Sequence, residues 1–389
     1  MFADPRKLAV ALAGLCTFLD LYATQSLLPL FARDFHASAA EVSLTVSATT
    51  FAVAIVAPFV GAVADVLGRK RIIVGAIFLL AVPTVLLSFS VTLHQLVLGR
   101  FVQGLLLPPI FAVTVAYIGD EWPRREIAAV TGIYISGSGL GGFLGRFICG
   151  LVAEAWSWRA AFLVLGAVNL LCGVIVVRYL QRERNFVRTA GILGSFRTMA
   201  HHLRDSRLLA TFTVGAVVLF SFIATFTYVN FYLAAPPFNF SSAALGSIFV
   251  VYLLGVVSSA LVGHGVRMMG RKRLVLCSVA TWCLGLLITL VPSLVTVIGG
   301  LAIAAASGFV FQTCATSYLT SVATHGRSSA VGLYVTCYYL GGSIGGVVPA
   351  PAWEDFGWPG CVLLVVAVQI LAALIVARFW QEPGLPETA

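Results

Sequence analysis

Twelve apolar runs, each long enough to cross a lipid bilayer, dominate this sequence of 389 residues. A helix needs about 20 consecutive apolar residues to span the hydrocarbon core. In lipid every backbone polar group must be satisfied within its own segment, which favours helices. The sequence therefore predicts an all-α membrane protein with twelve transmembrane helices. The predicted spans cover residues 8–31, 41–66, 71–91, 93–118, 127–152, 158–180, 208–234, 241–266, 272–291, 293–320, 328–350 and 358–380.

The composition agrees with this interpretation, since 60% of the residues are hydrophobic and 10% are charged. No soluble domain can bury so much apolar surface. Arg6 and Lys7 precede an apolar run that continues to Phe31, which is too long for the core of a signal peptide. With the N-terminus inside, only Arg33 and Arg159 among the loop cations lie outside. The positive-inside rule therefore predicts that both termini are cytoplasmic.

Several classes of function are excluded by what the spans lack. The net charge of +9 comes from cations at helix ends, which form no groove with interleaved aromatic residues, so no nucleic-acid partner is expected. The eight cysteines have no metal-ligand spacing, and we expect neither a metal nor a cofactor. No nucleophile and base lie together at membrane depth, so an enzyme is not expected. A channel would need a continuous polar lining. A non-transporting receptor remains an open alternative.

A charged loop at 61–71 joins the second and third predicted spans. Gly61, Asp65, Gly68 and Arg69 fit the spacing G-x-x-x-D-x-x-G-R-[RK]. This loop resembles the signature of the major facilitator superfamily, the twelve-helix secondary transporters. Asp65, near a helix end, is placed to meet a neighbouring helix N-terminus or an arginine. We expect these residues to form a latch that a conformational change must break. The alternative is a basic loop that only sets topology.

The sequence contains an internal repeat. Residues 263–273 repeat the loop at 61–71, with Arg267 in place of Asp65 and with Arg271 as a further latch candidate. The eleventh span repeats the fifth at an offset of 200 residues. The resemblance then implies two pseudo-symmetric six-helix bundles with the substrate site between them. The predicted domains are an N-terminal bundle at 1–180, a cytoplasmic linker at 181–207 and a C-terminal bundle at 208–389.

Asp20 is the only acidic residue near the middle of a predicted span. A charge at the bilayer centre costs about 2.5 to 3.5 kcal/mol or more, so Asp20 must be neutral, paired or exposed to water. Each case makes it a candidate proton or cation site. Thr24 lies one turn further on and shares roughly the same helix face. We predict substrate contacts for both residues. The alternative is that Asp20 only holds two helices together.

Arg100 opens the pattern R-x-x-Q-G at 100–104. This pattern resembles a second motif of the superfamily, in which the buried arginine is linked to proton coupling. A buried arginine stays charged and requires a carboxylate, a carbonyl or an anionic ligand. We predict that Asp20 is its counter-charge and that Asp20 and Arg100 couple protons. Arg100 could instead extend to the interface. Pro108 and Pro109 should kink the same span.

The fifth span carries a frame of glycines that allows close helix packing. The frame resembles the antiporter motif of the drug:H+ antiporter branch of the superfamily. Arg146 stands where that motif has proline, and Cys149 stands where it has glycine. Arg146 could bind an anionic group of the substrate, or it could pair with Asp20. The frame consists of Gly132, Gly141, Gly145 and Gly150.

The predicted C-terminal half supplies aromatic and amide side chains instead of charges. Such a surface suits an amphipathic organic ligand, although aromatic residues also pack in cores or face lipid. The substrate-binding candidates of this half are Phe222, Phe226, Tyr228, Gln312 and Tyr338.

The resemblance as a whole implies a 12-helix drug:H+ antiporter in a bacterial inner (plasma) membrane. We therefore expect a monomeric, multi-pass, proton-coupled secondary active transporter. It would export small amphipathic organic compounds by alternating access, with protons, a small-molecule substrate and the lipid bilayer as partners. The intramembrane excess of cations favours an alternative, a carrier for an anionic or polar metabolite such as a sugar, an organic acid or an amino-acid derivative.

Overall fold

The computed structural model describes residues 4–183, 202–323 and 326–380, without the side chains of 61–63, 65, 66, 327 and 328. A short 3-10 helix, Gln25–Leu27, lies between the first two α-helices. The α-helices are α1 (Pro5–Leu21), α2 (Leu28–Asp34), α3 (Ala39–Leu67), α4 (Arg69–Leu87), α5 (Leu93–Leu106), α6 (Pro108–Glu121), α7 (Arg124–Ala155), α8 (Trp158–Tyr179), α9 (Ser206–Ala234), α10 (Ser242–Ile248), α11 (Val251–Met269), α12 (Arg271–Ile288), α13 (Leu294–Val322), α14 (Arg327–Val347) and α15 (Ala350–Phe379).

Eleven helical segments in the described part of the chain are long and apolar enough to cross a membrane. They correspond to all the predicted spans except the ninth. The ninth predicted span is α12, an 18-residue helix that begins with Arg271, Lys272 and Arg273. Because these three residues are cations, the apolar part of α12 is shorter than the predicted span, 272–291. The all-α membrane class is confirmed.

Three of the spans are broken into two helices. The first consists of α1 and α2 with the 3-10 turn between them, the fourth of α5 and α6, and the eighth of α10 and α11. Pro108 and Pro109 begin α6, so the predicted kink in that span is confirmed. Each break leaves carbonyl groups without an intrahelical partner, and inside a membrane these groups need another donor.

The described residues form two compact units. The first contains 4–183 together with Val229–Val250, and the second contains 202–228 and 251–380. The predicted domain boundaries, 1–180, 181–207 and 208–389, stay a prediction. Most of the predicted linker lies outside the described residues.

Glycines of α7 let the backbone of α1 pack directly against α7 in the first unit. At each of these glycines a side chain would collide with a carbonyl of α1, so the two backbones are in contact. The second unit repeats the arrangement, with Gly341 on Ala216 and Gly345 on Phe220. Close packing is therefore confirmed for Gly141 and Gly145 of the predicted frame and for Gly150, which lies against Ser242, whereas Gly132 has open space around it. In the first unit these contacts are Gly137 with Ala11, Gly141 with Leu15 and Gly145 with Leu19.

Gly145→Ala tests this packing. The added methyl group meets the Leu19 carbonyl, and overpacking of this kind lowers the free energy of unfolding by about 1 to 3 kcal/mol. We expect a lower thermal midpoint for the detergent-solubilised protein, measured by size exclusion after heating. Gly132→Ala, on the same helix but with open space around it, is the matched control. Equal midpoints for the two variants would contradict the backbone contact.

Candidate functional site

The Asp20 carboxylate is fully buried in the first unit and is surrounded by hydrogen-bond donors. Its Oδ1 accepts from the Thr84 hydroxyl of α4 at 3.0 Å and from Nε2 of Gln103 in α5 at 3.2 Å. Its Oδ2 accepts from Nδ2 of Asn169 in α8 at 2.6 Å. Four helices therefore meet at one carboxyl group. Such an array stabilises the ionised form against burial.

Arg100 is also fully buried and binds the broken end of α1. Its Nη1 donates to the Asp20 carbonyl at 2.7 Å, and its Nη2 donates to the Leu21 carbonyl at 2.6 Å. Its Nε donates to the Thr45 carbonyl of α3 at 3.0 Å. Because α1 ends at Leu21, the carbonyls of Asp20 and Leu21 lack the donors that a further helical turn would supply. A cation at a helix C-terminus is also electrostatically favourable. Arg100 thus caps α1.

The relation between Arg100 and Asp20 differs from the prediction of a direct counter-charge. Among the described residues, the guanidinium binds the main-chain carbonyl of Asp20 and not its carboxylate. Gln103 bridges the two, since its Oε1 accepts from Arg100 Nη1 at 2.6 Å and its Nε2 donates to Asp20 Oδ1. The alternative in which Arg100 extends to the interface is wrong, because its side chain is buried.

Arg146 lies beside the same break, on α7. Its Nε donates to Oε1 of Gln25 at 2.8 Å, and its Nη1 donates to the Gly142 carbonyl at 2.6 Å. The guanidinium carbon lies 4.6 Å from the ring centre of Tyr22 and 4.3 Å from that of Phe249. Two aromatic faces therefore stabilise this buried cation.

The predicted pairing of Arg146 with Asp20 is wrong. The side-chain oxygens of Asp20 are occupied by Thr84, Gln103 and Asn169. Arg146 instead contacts the segment that follows Asp20, because the break at the end of α1 turns Tyr22 and Gln25 towards α7. A role for Arg146 in binding an anionic group stays a prediction.

Sequence reasoning missed Thr84 and Asn169. Asn169 carried a usable signal, because it is the only amide side chain in the span 158–180. Thr84 carried none, since threonine is ordinary in a membrane helix and its role depends on how α4 approaches α1. Thr24, which was predicted, is fully buried at the start of the 3-10 turn.

Several buried polar atoms have no hydrogen-bond partner among the described residues. In the first unit they include Thr24 Oγ1 and Asn169 Oδ1. In the second unit they include Ser221 Oγ, Thr225 Oγ1 and both amide atoms of Gln369. Buried polar groups are nearly always paired, so these atoms have hydrogen-bonding capacity that the described residues do not use.

The predicted aromatic residues of the second unit pack against one another. The Phe222 ring centre lies 6.3 Å from Phe226 and 4.8 Å from Trp282. Tyr252 lies 4.6 Å from Phe226 and 5.7 Å from Phe222. We call Phe222, Phe226, Tyr252, Trp282 and Phe309 the aromatic cluster.

The other candidates of this unit have contacts of their own. The Tyr228 hydroxyl donates to the Gly346 carbonyl at 3.0 Å. Tyr338 stacks on Tyr334 at 6.0 Å, and Gln312 is partly exposed on α13. Substrate contacts for Phe222, Phe226, Tyr228, Gln312 and Tyr338 stay predictions.

The loop between α3 and α4 is tied to α6. Gly68 has a φ of 89°, a conformation that favours glycine. Arg69 forms an ion pair with Asp120 at 2.7 Å. The surroundings of Gly61 and of the Asp65 side chain, the other latch candidates in this loop, are outside what the structure describes.

The second unit repeats this contact without the acidic partner. Arg271 donates to the Ser321 hydroxyl at 3.0 Å, and its guanidinium lies 5.8 Å from the Tyr318 ring centre. A latch function for Gly61, Asp65, Gly68, Arg69 and Arg271 stays a prediction.

A sequence profile of the Major Facilitator Superfamily matches residues 10–345 and 217–389. An uncharacterized transporter of Buchnera aphidicola (subsp. Schizaphis graminum) is 32% identical over 95% of this chain and 89% of its own. The uncharacterized MFS-type transporter YybF of Bacillus subtilis is 30% identical over 98% of this chain and 95% of its own. The inner membrane transport protein YnfM of Escherichia coli is 31% identical over 95% and 89%.

Solved structures share the fold at low sequence identity. A mutant of the nucleoside transporter NupG superposes with a TM-score of 0.79 at 16% identity, covering 96% of this chain and all of its own. A bacterial homolog of the human lysosomal transporter Spinster, inward-facing and occupied, gives a TM-score of 0.75 at 16% identity, covering 96% of each chain. These likenesses confirm the predicted superfamily fold.

Arg100→Lys tests the capping of α1. Lysine keeps the charge but cannot reach the Thr45, Asp20 and Leu21 carbonyls together, and each bond to a charged donor contributes about 1.5 to 3 kcal/mol. We expect the free energy of unfolding to fall by about 2 kcal/mol or more, with a lower thermal midpoint in detergent. Arg71→Lys, an exposed arginine of the same unit, is the control. An unchanged midpoint for Arg100→Lys would contradict the capping role.

Proposed function

The chain belongs to the Major Facilitator Superfamily and is a multi-pass membrane transporter, and from that premise we propose that it exchanges a small polar organic solute for protons. It does so by alternating access, in which the solute site is open to one side of the membrane at a time. The observation that carries the coupling is the buried Asp20 carboxyl group with its donors on three neighbouring helices.

Proton coupling needs one group whose charge changes inside the membrane. Arg100 cannot lose its proton, so its charge is constant. Asp20 has opposing influences on its protonation: burial favours the neutral acid, and the surrounding donors favour the carboxylate. Uptake of a proton changes the net charge of the Asp20 and Arg100 side chains from zero to plus one. A proton driven by the membrane potential supplies about 2.3 kcal/mol per 100 mV.

The polar atoms without partners support a polar solute. Thr24 and Asn169 in the first unit and Gln369 in the second each offer a buried acceptor or donor. An unsatisfied buried group costs about 1 to 3 kcal/mol, which a solute carrying hydroxyl, carbonyl or amide groups would recover. Arg146 adds a cation for an anionic group. This chemistry suits a sugar, an organic acid, an amino-acid derivative or a nucleoside, and NupG, of the same fold, is described as a nucleoside transporter.

A second candidate is export of small amphipathic compounds, as in the drug:H+ antiporter branch. The aromatic cluster of the second unit favours it, because ring faces bind flat apolar cations by π contacts. Phe222 and Phe226 would contact such a compound directly. The Asp20 carboxylate is fully buried and already accepts three hydrogen bonds, which argues against its use as a counter-charge for an organic cation.

Asp20→Asn tests the coupling. Everted membrane vesicles with an acidic interior are loaded with a pH-sensitive dye, and the transported solute is added outside. We expect the wild type to dissipate the pH gradient on addition of solute and Asp20→Asn to abolish this response, because an amide cannot exchange a proton. Asp355→Asn, an exposed acid of the second unit, should respond like the wild type. A full response in Asp20→Asn would contradict coupling at this residue.

The same vesicles distinguish the two solute classes. A panel of a sugar, an organic acid, an amino-acid amide and a nucleoside is compared with ethidium as the amphipathic cation. We expect at least one polar probe to dissipate the gradient, with a half-saturating concentration raised about tenfold in Gln369→Leu, equivalent to about 1.4 kcal/mol. A response to ethidium alone, reduced in Phe226→Ala, would instead support export of amphipathic compounds.

A further inference from the structure

The two oxygens of the Asp20 carboxylate have different surroundings. Oδ2 faces the Asn169 amide nitrogen at 2.6 Å, a group that carries hydrogen and only donates. Oδ1 faces the Thr84 hydroxyl at 3.0 Å, a group that both donates and accepts. A proton on Oδ2 would point at the hydrogens of Asn169, whereas a proton on Oδ1 would point at an oxygen with lone pairs.

The Thr84 hydroxyl has two acceptors for its single hydrogen. Asp20 Oδ1 lies 3.0 Å from Thr84 Oγ1, and the Leu80 carbonyl lies 2.7 Å from it. With Asp20 ionised, the hydrogen is best placed on the carboxylate, since a charged acceptor binds more strongly. With Asp20 protonated, the hydroxyl can turn to Leu80 and accept from the acid. Both forms keep Oγ1 in a hydrogen bond without moving a heavy atom.

Gln103 supports this assignment because its amide orientation is fixed. Its Oε1 accepts from Arg100 at 2.6 Å, so the NH₂ group must face Thr84 Oγ1 at 2.7 Å and Asp20 Oδ1. Gln103 therefore only donates to this side of the cluster. Of the groups that contact the Asp20 oxygens, Thr84 is the one that can accept the acid hydrogen without turning over an amide.

We propose that Asp20 takes up its proton on Oδ1, with Thr84 as the acceptor, while Asn169 holds Oδ2 and sets the proton affinity of the carboxyl group. The inference rests on the proposed coupling role of Asp20. In this step a hydronium ion gives its proton to Oδ1: one O–H bond of the hydronium breaks, one O–H bond forms on the acid, and a water molecule is released. The Thr84 hydrogen turns from Oδ1 to the Leu80 carbonyl, and the O–H bond of Thr84 stays intact.

The charged and titratable groups around Asp20 come from four elements. Arg100 lies on α5, Cys16 on α1 and Cys149 on α7. Cys172 of α8 is hydrogen-bonded to Cys16. Arg100 is the permanent charge of this set, and it favours the ionised form equally in every variant that keeps Arg100.

An infrared pH titration of the purified full-length protein in detergent tests the inference without a substrate. The carbonyl band of protonated Asp20 is identified as the band that Asp20→Asn removes. Because the inference makes Oδ2 the carbonyl oxygen of the neutral acid, Asn169→Leu should move this band to higher wavenumber. The same variant should raise the midpoint of the titration by about one pH unit, because the carboxylate loses its charge-assisted donor.

The controls separate a positioning role from a loss of structure. Thr84→Ser keeps the hydroxyl and should reproduce the wild-type midpoint and band. Thr211→Val removes a fully buried hydroxyl of the second unit and should leave both unchanged. If Asn169→Leu does not give a monodisperse protein, Asn169→Ala removes the same donor with less bulk and takes its place.

Two outcomes overturn the inference in distinguishable ways. A band and midpoint that Asn169→Leu leaves in place would mean that Oδ2 carries the proton or that Asn169 has no influence, and the coupling role of Asp20 would stand. A pH-difference spectrum that Asp20→Asn leaves unchanged would show that Asp20 does not titrate, and the proposed coupling role would fall with the inference.

Discussion

The first unit depends on the capping of a helix that ends inside the membrane. α1 ends at Leu21, and the chain crosses the rest of its span through a 3-10 turn and α2. In a region with little water, the Asp20 carbonyl therefore keeps only turn bonds such as that from the Ala23 amide at 3.2 Å, and the Leu21 carbonyl has lost the donor that a continuing helix would supply. Arg100 supplies two donors to them and one to Thr45. The same carbonyls stabilise the buried guanidinium, so the helix break and the buried cation each require the other.

The two units use the same packing with different chemistry. Gly145 contacts the Leu19 carbonyl, and Gly345 contacts the Phe220 carbonyl in the same way. The residue after Phe220, Ser221, therefore occupies in the second unit the place that Asp20 has in the first. Gln369 stands 200 residues after Asn169, and both are fully buried amides. The repeat kept the polarity at these positions and lost the charge. For that reason the proton chemistry of the proposal lies in the first unit, while the second unit offers neutral hydrogen-bonding groups.

The membrane made part of this site predictable from the sequence. A carboxyl group and a guanidinium at membrane depth are too costly to be incidental, which identified Asp20 and Arg100. Their partners were not predictable, because they depend on the break at Leu21 and on the approach of α4 and α8. Without the break, the Asp20 carbonyl would be bonded within α1, and a direct ion pair with Arg100 was the reasonable expectation. Among the helices, α12 differed from its predicted span because its first three residues are cations.

The same break links the proposed proton site to α10 by consecutive contacts. Arg100 binds the Leu21 carbonyl, and the next residue, Tyr22, lies with its ring against Arg146. The guanidinium carbon of Arg146 also lies 4.3 Å from the ring centre of Phe249, directly after α10. The main chain at Arg146 is also in close contact with α10, where Gly246 leaves room for its carbonyl. A change of charge at Asp20 would change its electrostatic attraction for the Arg100 guanidinium, which caps the end of α1. Since Tyr22 follows that end directly, consecutive contacts join α10 to the proposed proton site, and Tyr22 and Arg146 are the residues through which a shift at the end of α1 would reach α10.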